Sequence, residues 1–373
     1  MTPIKPFYFD MTPDEIAEFQ EGAGKILCSG TLILGDHTER FEQEFAHFIG
    51  ARHAVSVNSG ATALEILLRL KGTQGKIIAV PTNTNFATIA SVLRAGGQVR
   101  YLDMDVRTFA PTLAMVRAEL KRAPTLAGIV WVHIGGIISP EFPKVVAYCR
   151  QQGLFVFEDA AHAHGSQLKG VKAGRLADGA GFSFFPTKVM TTGEGGMITT
   201  EDDTESQGAR SFRNQGKRGE NYGGLHQDFG NSSRMTELSA LLGLIQLRKL
   251  PAMLRRRTTA AKRITTHLDR AGVHYCRTDH QDVASNYKLI VLLPEHRELK
   301  IVKKALADEG VYVGGEVYEI PSHRQPVFAG MCAAESYPVA DRWCPNHLCP
   351  PLTSGMTEEE ADFVGDMLVK QLR

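Results

Sequence analysis

The 373-residue chain has almost no net charge, few cysteines and no long apolar run. A formal net charge of +1 gives no electrostatic reason to expect a nucleic acid or a membrane surface as a partner. Six cysteines spread through so long a chain do not form the dense pattern of a small disulfide-bonded domain, and they suit a reducing compartment. The N-terminus lacks a charged leader followed by an apolar run, and no stretch is long enough to span a bilayer, so we expect a cytoplasmic protein.

A metal centre is not expected either. The best candidate ligands are Cys344, His347 and Cys349, but their spacing is irregular and a Cys-x-x-Cys pair is missing. The composition is that of a globular protein with a substantial core, since 43% of the residues are hydrophobic and 22% are charged. The length allows two domains, and we predict a large domain over residues 1–250 and a smaller C-terminal α/β domain over residues 251–373.

Short apolar strands alternate with amphipathic helices through the first half of the chain. Strands are predicted at residues 54–57, 76–80, 99–102, 127–132 and 154–157, and helices at 38–49, 61–70, 87–95, 113–122, 142–152, 235–250 and 357–372. The alternation predicts an α/β fold with a mostly parallel sheet and helices on both faces. Near the N-terminus, Pro3, Pro6 and Pro13 limit the predicted helix to a short one at residues 14–20.

Two stretches carry the residues from which a chemical function can be argued. Lys188 is the only basic residue between Arg175 and Arg210 and lies between apolar strands, where lost hydration would lower the pKa of its amine. A neutral amine can attack a carbonyl or remove a proton, although a surface lysine in a loop would fit the local sequence as well. Asp159 follows the strand at 154–157, about one crossover unit before Lys188, at the strand end where α/β sheets bind ligands. A lysine and an acid facing one crevice suit pyridoxal 5'-phosphate, which needs a Schiff-base lysine and an acidic partner for its ring nitrogen.

With these motifs in place, the chain resembles the DegT/DnrJ/EryC1/StrS family of sugar aminotransferases, which are pyridoxal-phosphate enzymes of aspartate-aminotransferase-like fold (fold type I). The resemblance extends through nearly the whole chain. It covers Gly30-Thr31, the turn from Asn58 to Leu64, the stretch from Glu158 to Gly165, the stretch from Phe182 to Lys188 with Gly193 to Gly196, Arg234 to Glu237, and Pro321 to Pro326. A shared fold alone would not license a function, but here the site residues match as well.

The resemblance implies roles for three residues near the cofactor ring. Lys188 would form the covalent link to the cofactor aldehyde and later carry the proton between the substrate α carbon and the cofactor. Asp159 would pair with the ring N–H, which keeps the ring protonated and able to accept electrons. His162 would lie beside the ring and its phenolic oxygen, where the family has glutamine or histidine; a partly buried histidine with structural contacts alone is the alternative.

Four residues would bind the cofactor phosphate. Gly60, Ala61 and Thr62 lie between a predicted strand and a predicted helix, where exposed backbone N–H groups suit a phosphate and glycine permits a close approach. The hydroxyls of Thr62 and Ser183 would add donors, although Thr62 could instead serve only as a helix cap.

At two cofactor positions the chain departs from the family pattern. The family usually stacks an aromatic residue on the ring; here that position is Asn85 and Phe86 follows it, so either Phe86 stacks or the ring face is polar. The family commonly has asparagine two residues before Arg234, reaching the cofactor phosphate of the neighbouring subunit. This chain has Ser232 there and Asn231 beside it, and either side chain could make that contact.

The resemblance implies transamination in two halves, with pyridoxamine 5'-phosphate as the intermediate form of the cofactor. An amino acid, L-glutamate by resemblance, would give its amino group to a keto-sugar carried on a nucleotide, in aminosugar biosynthesis for lipopolysaccharide or an antibiotic. An aminotransferase for a keto-cyclitol is an alternative, as is a sugar dehydratase of the same fold, although relatives of that kind carry histidine in place of Lys188. A nicotinamide-dependent reductase would need a Gly-x-Gly-x-x-Gly turn, which Asn58 to Thr62 lacks. A non-catalytic sensor of the cofactor or the sugar is a further rival.

A homodimer with shared active sites is expected. The polar, Gly-rich stretch at residues 214–233 is predicted to be a long loop with too little apolar surface to fold against its own chain. In the resembling family this loop reaches across the dimer, so we expect a two-fold symmetric assembly. The expected partners are otherwise small molecules, namely the keto-sugar and the amino-acid donor.

Overall fold

The computed structural model describes residues 3–219, 225–331 and 335–373. The strands in these ranges are β1 (His53–Val57), β2 (Ile77–Pro81), β3 (Gln98–Leu102), β4 (Leu126–Val132), β5 (Phe155–Asp159), β6 (Gln167–Leu168), β7 (Val171–Lys172), β8 (Gly179–Ser183), β9 (Gly196–Thr200), β10 (Val291–Leu292) and β11 (His347–Leu348). The helices are α1 (Pro13–Ser29), α2 (Asp36–Ile49), α3 (Gly60–Leu70), α4 (Phe86–Arg94), α5 (Leu113–Arg122), α6 (Phe142–Gln151), α7 (Asp203–Arg213), α8 (Glu237–Ala271), α9 (Leu299–Asp308), α10 (Pro338–Trp343) and α11 (Glu358–Leu372). None of these helices is long and apolar enough to cross a membrane.

The largest sheet has seven strands in the spatial order β1-β9-β8-β5-β4-β2-β3. In this sheet β9 pairs antiparallel with β1 and β8, whereas β2 pairs parallel with β3 and β4, β4 with β5, and β5 with β8. Six strands therefore run in one direction and their carboxyl ends share one edge. The prediction of a mostly parallel α/β sheet is confirmed, and the predicted strands of the first half match β1 to β5 to within two residues at each end.

Apolar side chains cover both faces of this sheet because successive residues of a strand point to opposite sides. Trp131 of β4 packs in the same cluster as Phe41 and Phe45 of α2. Its neighbour Val130 belongs to the cluster on the other face, with Leu67 of α3. A further cluster joins the second half of α8 to α9, α11 and the small β10–β11 sheet. The seven-stranded sheet is thus the middle of three layers.

The first helix is longer than the sequence predicted. α1 covers Pro13–Ser29 instead of residues 14–20. Pro13 lies in the first turn, where its missing N–H costs no hydrogen bond, and Thr12 caps the helix in a reciprocal capping box with Glu15. The prediction of a short helix was wrong because Pro13 starts the helix and does not limit it.

α8 connects the sheet to the C-terminal part of the chain. It runs from Glu237 to Ala271 with Pro251 inside it, so the helix predicted at 235–250 forms its first half. The predicted division of the chain near residue 250 falls within this helix and stays a prediction.

Candidate active site

A cavity of about 350 Å³ opens at the carboxyl edge of the sheet. Asp159 ends β5 and Ser183 ends β8, while α3 begins at Gly60 just after β1. Because these strands are parallel, their carboxyl ends bring the three residues to the same edge. The cavity brings together six of the predicted site residues, namely Gly60, Ala61, Asp159, His162, Ser183 and Lys188.

Lys188 lies in the turn between β8 and β9 and lines the cavity. Its Nζ lies 5.0 Å from the centre of the Tyr287 ring. Desolvation lowers the pKa of the Lys188 amine to about 8; the Asp159 carboxylate opposes this shift and the Lys288 ammonium adds to it. A useful fraction of the amine is therefore unprotonated near neutral pH and able to act as a nucleophile or a base.

The Asp159 carboxylate is buried and held from two sides. Thr88 Oγ1 donates a hydrogen bond to Oδ2 over 2.7 Å, and the backbone N–H of Ala161 donates to Oδ1 over 3.2 Å. Each carboxylate oxygen has two lone pairs, so these two bonds leave acceptor capacity on both oxygens. The side chain is fixed in place yet still able to bind a cationic N–H.

His162 is buried between two tyrosines. Its ring stacks on Tyr287 with the ring centres 4.3 Å apart, and its Nε2 lies 3.4 Å from the Tyr318 hydroxyl. The backbone N–H of Gly135 donates to Nδ1 over 3.3 Å, which places the imidazole proton on Nε2. Burial, followed by the nearby Lys188 ammonium, lowers the pKa of His162 well below its ordinary value. The ring is therefore neutral, and its Nε2–H is a donor at the cavity wall.

The N-terminus of α3 forms one end of the cavity. The first N–H groups of a helix have no acceptor within the helix, and Gly60 and Ala61 supply two such groups here. A Cβ added at Gly60 would lie 2.7 Å from the Ser183 Cβ, so this close approach requires glycine. Ser59 caps the helix by accepting the N–H of Thr62 over 3.2 Å, and the Thr62 hydroxyl lies 2.9 Å from the same Ser59 oxygen. Thr62 thus takes part in the helix cap and is not among the lining residues; its phosphate contact stays a prediction.

Three other predicted cofactor contacts lie outside this cavity in the single chain. Phe86 begins α4 and stacks on Phe328 with the ring centres 5.6 Å apart, while its neighbour Asn85 lines the cavity. Asn231 and Ser232 are both exposed. Their predicted contact is with the site of a neighbouring subunit, so it stays a prediction.

The sequence did not point to three side chains that shape the site. Thr88 anchors Asp159, and Tyr287 and Tyr318 enclose His162. Thr88 lies in the first turn of a helix that follows a strand, a position from which a hydroxyl can be expected to face the carboxyl edge. No local pattern marks the two tyrosines, because they reach the site through packing of segments that are far apart in the sequence.

No group of three or more His, Cys, Asp or Glu side chains that could hold a metal ion occurs in the described residues. His347 has both ring nitrogens engaged in the core, since Nδ1 lies 2.8 Å from the Cys344 carbonyl oxygen and Nε2 accepts the N–H of Val317 over 3.1 Å. A larger cavity, of about 770 Å³, lies along α8, but neither Lys188 nor Asp159 lines it. The cavity of about 350 Å³ is the candidate active site because Lys188 and Asp159 both line it.

The fold and the position of this cavity define an α/β enzyme of the aspartate-aminotransferase-like class. The solved structure of the aminotransferase TlmJ from Streptoalloteichus hindustanus is similar to this chain with a TM-score of 0.89 at 26% identity, over 99% of each chain. The chain belongs to the DegT/DnrJ/EryC1/StrS aminotransferase family, whose family model matches residues 13–369. The predicted family, fold class and enzyme class are therefore confirmed.

Two relatives show how far the sequence similarity extends. The spore coat polysaccharide biosynthesis protein SpsC of Bacillus subtilis is 31% identical over 367 residues, which cover 94% of this chain and 92% of the relative. The UDP-N-acetyl-3-dehydro-alpha-D-glucosamine 3-aminotransferase of Acidithiobacillus ferrooxidans is 32% identical over 365 residues, which cover 95% of this chain and 94% of the relative. The similarity therefore spans whole chains and is not limited to the site motifs.

Proposed function

We propose that the chain is a pyridoxal 5'-phosphate-dependent aminotransferase that moves an amino group from L-glutamate to a nucleotide-linked keto-sugar in aminosugar biosynthesis. The observation that carries this proposal is a cavity that holds both the Lys188 amine, with its lowered pKa, and the anchored Asp159 carboxylate, in a chain of an aminotransferase family. The sugar substrate is supported by the relative named for UDP-N-acetyl-3-dehydro-alpha-D-glucosamine. A UDP-linked 3-keto-sugar is therefore the first acceptor to test.

The residues of the cavity fit the cofactor. The N–H groups of Gly60 and Ala61 suit a phosphate, and the absence of a side chain at residue 60 keeps that end of the cavity open. Ser183 would add a hydroxyl donor, and the free lone pairs of Asp159 would hold the ring N–H. When bound, pyridoxal phosphate supplies an aldehyde that reacts with amines and a ring that accepts electrons from the neighbouring carbon.

The side chains of this chain would perform the proton transfers and the orientation. Lys188 has a pKa of about 8, so its Nζ can remove a proton from the donor α carbon and later give one up at the same pH. Asp159, fixed by Thr88, keeps a negative charge beside the ring nitrogen. His162 would present its neutral Nε2–H to an oxygen of the bound ligand.

The remaining cofactor contacts belong to the same proposal. Asn85, which lines the cavity, is better placed than Phe86 to face the ring, because Phe86 packs on Phe328.

Asn231 and Ser232 are exposed and available to the cofactor phosphate of a second subunit in a homodimer. Sedimentation of the active enzyme as a dimer is expected, and a fully active monomer would contradict the shared site. The cytoplasmic location stays a prediction.

The proposal is tested with purified protein, L-glutamate and the UDP-linked 3-keto-sugar, with the product identified by mass spectrometry. Lys188→Ala should lower the rate by about 10⁴-fold or more, because it removes both the nucleophile and the base. Lys121→Ala, which changes an exposed lysine in the last turn of α5, is the matched control and should react at the wild-type rate.

A Lys188→Ala variant that transaminates at the wild-type rate would contradict the assignment of the site. A deoxysugar product in place of an aminosugar would identify a dehydratase. If the UDP-sugar is not aminated, a panel of other nucleotide-linked keto-sugars and keto-cyclitols, run in reverse from their amines, identifies the acceptor.

A further inference from the structure

Tyr287 contacts both of the polar groups that the proposed reaction needs on one side of the cavity. Its ring stacks on the His162 imidazole with the centres 4.3 Å apart, and the Lys188 Nζ lies 5.0 Å from its centre. The Tyr287 hydroxyl lies 3.1 Å from Oγ1 of Thr187, the residue directly before the lysine. One buried side chain therefore contacts the amine, the imidazole and the side chain of the residue directly before the lysine.

Tyr287 belongs to the segment from Ala284 to Lys288 (the 284–288 segment), which also binds the backbone of His162. The Ser285 hydroxyl donates to the His162 carbonyl over 2.7 Å, and the Ser285 N–H donates to Ser166 Oγ over 3.0 Å. This segment therefore holds His162 by its main chain as well as by its ring.

Arg257 of α8 also binds the 284–288 segment. This buried guanidinium donates hydrogen bonds to the carbonyl oxygens of Ser285, Asn286 and Tyr287 over 2.8 to 3.2 Å. Asn286 has φ of +47°, in the left-handed region that non-glycine residues rarely adopt. Burying a charge against carbonyl dipoles is costly, and a packed apolar side chain would often stabilise the fold more. The contribution of Arg257 is therefore to fix the backbone conformation of the 284–288 segment.

We propose that Tyr287 is a positioning residue that sets the relative placement of the Lys188 amine and the His162 imidazole, and that Arg257 acts through Tyr287. This inference rests on the proposed function, since it assumes that Lys188 carries the proton.

A positioning role follows from the geometry of proton transfer. The amine must stay within about 3 to 3.5 Å of the reacting carbon, and a shift of about 1 Å can lower a rate about 10²-fold. The flexible four-carbon stem of a lysine does not fix the amine by itself. The face of the Tyr287 ring restricts the amine, and it also attracts the ammonium that forms when Lys188 accepts a proton.

The first test measures a single turnover with L-glutamate and with its α-deuterated form. Tyr287→Leu should lower the rate about 10²-fold and raise the primary isotope effect, because a misplaced amine makes proton transfer more fully rate-limiting. Tyr287→Phe is the matched control, since it keeps the ring and loses only the hydroxyl contact with Thr187. It should slow the reaction no more than about fivefold.

A Tyr287→Leu variant that reacts at the wild-type rate with the wild-type isotope effect would overturn the proposal. A slower rate with an unchanged isotope effect would overturn it too, because that result indicates fewer active molecules and not a misplaced amine.

The second test asks whether Arg257 acts through Tyr287. Arg257→Lys keeps the charge but loses the planar fork that binds several carbonyls, so it should slow the single turnover about tenfold and raise the isotope effect. The double variant Arg257→Lys/Tyr287→Leu should be no slower than Tyr287→Leu alone, within about twofold. Fully additive losses would overturn the link between the two residues. Arg257→Lys also keeps the proposal testable if Tyr287→Leu does not fold.

The third test needs no cofactor. In protein labelled with ¹³C-histidine, the ring signal of His162 is assigned by its absence in His162→Gln. Tyr287→Leu should shift this signal because the stacked ring is lost, and Tyr287→Phe should leave it in place. An unchanged His162 signal in Tyr287→Leu would overturn the positioning role.

Failure of this inference is distinguishable from failure of the proposed function. If Lys188→Ala is inactive while Tyr287→Leu behaves as wild type, only the positioning role is wrong. If Lys188→Ala remains active, the assignment of the site itself is wrong.

Discussion

Glu158 and Asp159 are neighbours at the end of β5, yet they lie in different surroundings. Asp159 borders the cavity and accepts hydrogen bonds from Thr88 and Ala161. Glu158 has no exposed surface, and its carboxylate accepts three backbone N–H groups and faces the His133 ring over 2.8 Å. Because successive residues of a strand point to opposite sides, one carboxylate lies in the packed interior and the other lies at the ligand edge. Both are buried, so it is the number of internal donors that separates a structural carboxylate from one that can bind a ligand.

The same contrast holds for two lysines. Lys188 and Lys288 both lie near the Tyr287 ring, with their amines 5.0 Å and 5.5 Å from its centre. The Lys288 amine donates to the Gly314 carbonyl over 3.0 Å, whereas Lys188 lines the cavity. Proximity to the Tyr287 ring therefore does not identify the reactive lysine. The two lysines differ in that the Lys288 amine is bound to a backbone carbonyl, whereas Lys188 lines the cavity.

The largest expected difference lies between the two carboxylates. Asp159→Asn should lower kcat/KM about 10³-fold, because an amide cannot offer a negative charge to the ring N–H. Its unfolding free energy without cofactor should change by less than about 1 kcal/mol, since the amide oxygen can accept the Ala161 N–H while the Thr88 hydroxyl turns to accept the amide N–H. Steady-state rates and urea denaturation measure the two quantities, and an active Asp159→Asn enzyme would contradict the assigned role.

Glu158→Gln should show the reverse pattern. The amide oxygen can take the place of only one carboxylate oxygen, so at least one of the three backbone N–H groups loses its acceptor and the unfolding free energy should fall by about 3 kcal/mol. The rate per folded molecule should fall less than about tenfold. If Glu158→Gln is as inactive as Asp159→Asn and equally stable, the distinction between the two carboxylates fails.

The pH dependence of Lys188 gives a smaller and graded effect. Only the neutral amine attacks an aldehyde, so the rate at which cofactor-free protein binds pyridoxal phosphate covalently should rise about tenfold per pH unit and level off. The midpoint should lie at about pH 8, because desolvation lowers the pKa of Lys188 to about 8 from its ordinary 10.5. Asp159 raises that pKa, so Asp159→Asn should move the midpoint to lower pH. A wild-type midpoint near 10.5 would show that the amine is not desolvated.

The smallest effect is expected at His162. Glutamine can present an N–H donor to the cavity in place of the neutral Nε2–H, so His162→Gln should lower kcat about threefold, whereas His162→Leu, which has no donor, should lower it about tenfold. Steady-state kinetics with both variants measure the difference. Equal losses in the two variants would mean that the hydrogen bond does not matter.

Most of the sheet was predictable because its strands are short apolar runs separated by helices of regular period. Lys188 and Asp159 stood out because each follows such a run, which places it at the carboxyl edge. The length of α1 was not predictable from proline content alone, since the effect of Pro13 depends on its position in the helix.

Other parts of the site depend on tertiary contacts that the sequence does not display. Tyr287 and Tyr318 come from segments more than 100 residues beyond His162, and no periodicity records that contact. The helix predicted from residue 61 begins at Gly60, but the sequence suggested only Thr62 as its cap and did not show that Ser59 is the N-cap residue. The packing of Phe86 on Phe328 likewise depends on a distant segment.

Reductive trapping tests the central claim most directly. The protein is incubated with pyridoxal phosphate, reduced with borohydride, digested and mapped by mass spectrometry. We expect the pyridoxyl group on Lys188 and not on Lys288, although both amines lie near the same tyrosine. Label on Lys288, or equal labelling of the Lys188→Ala variant, would contradict the account.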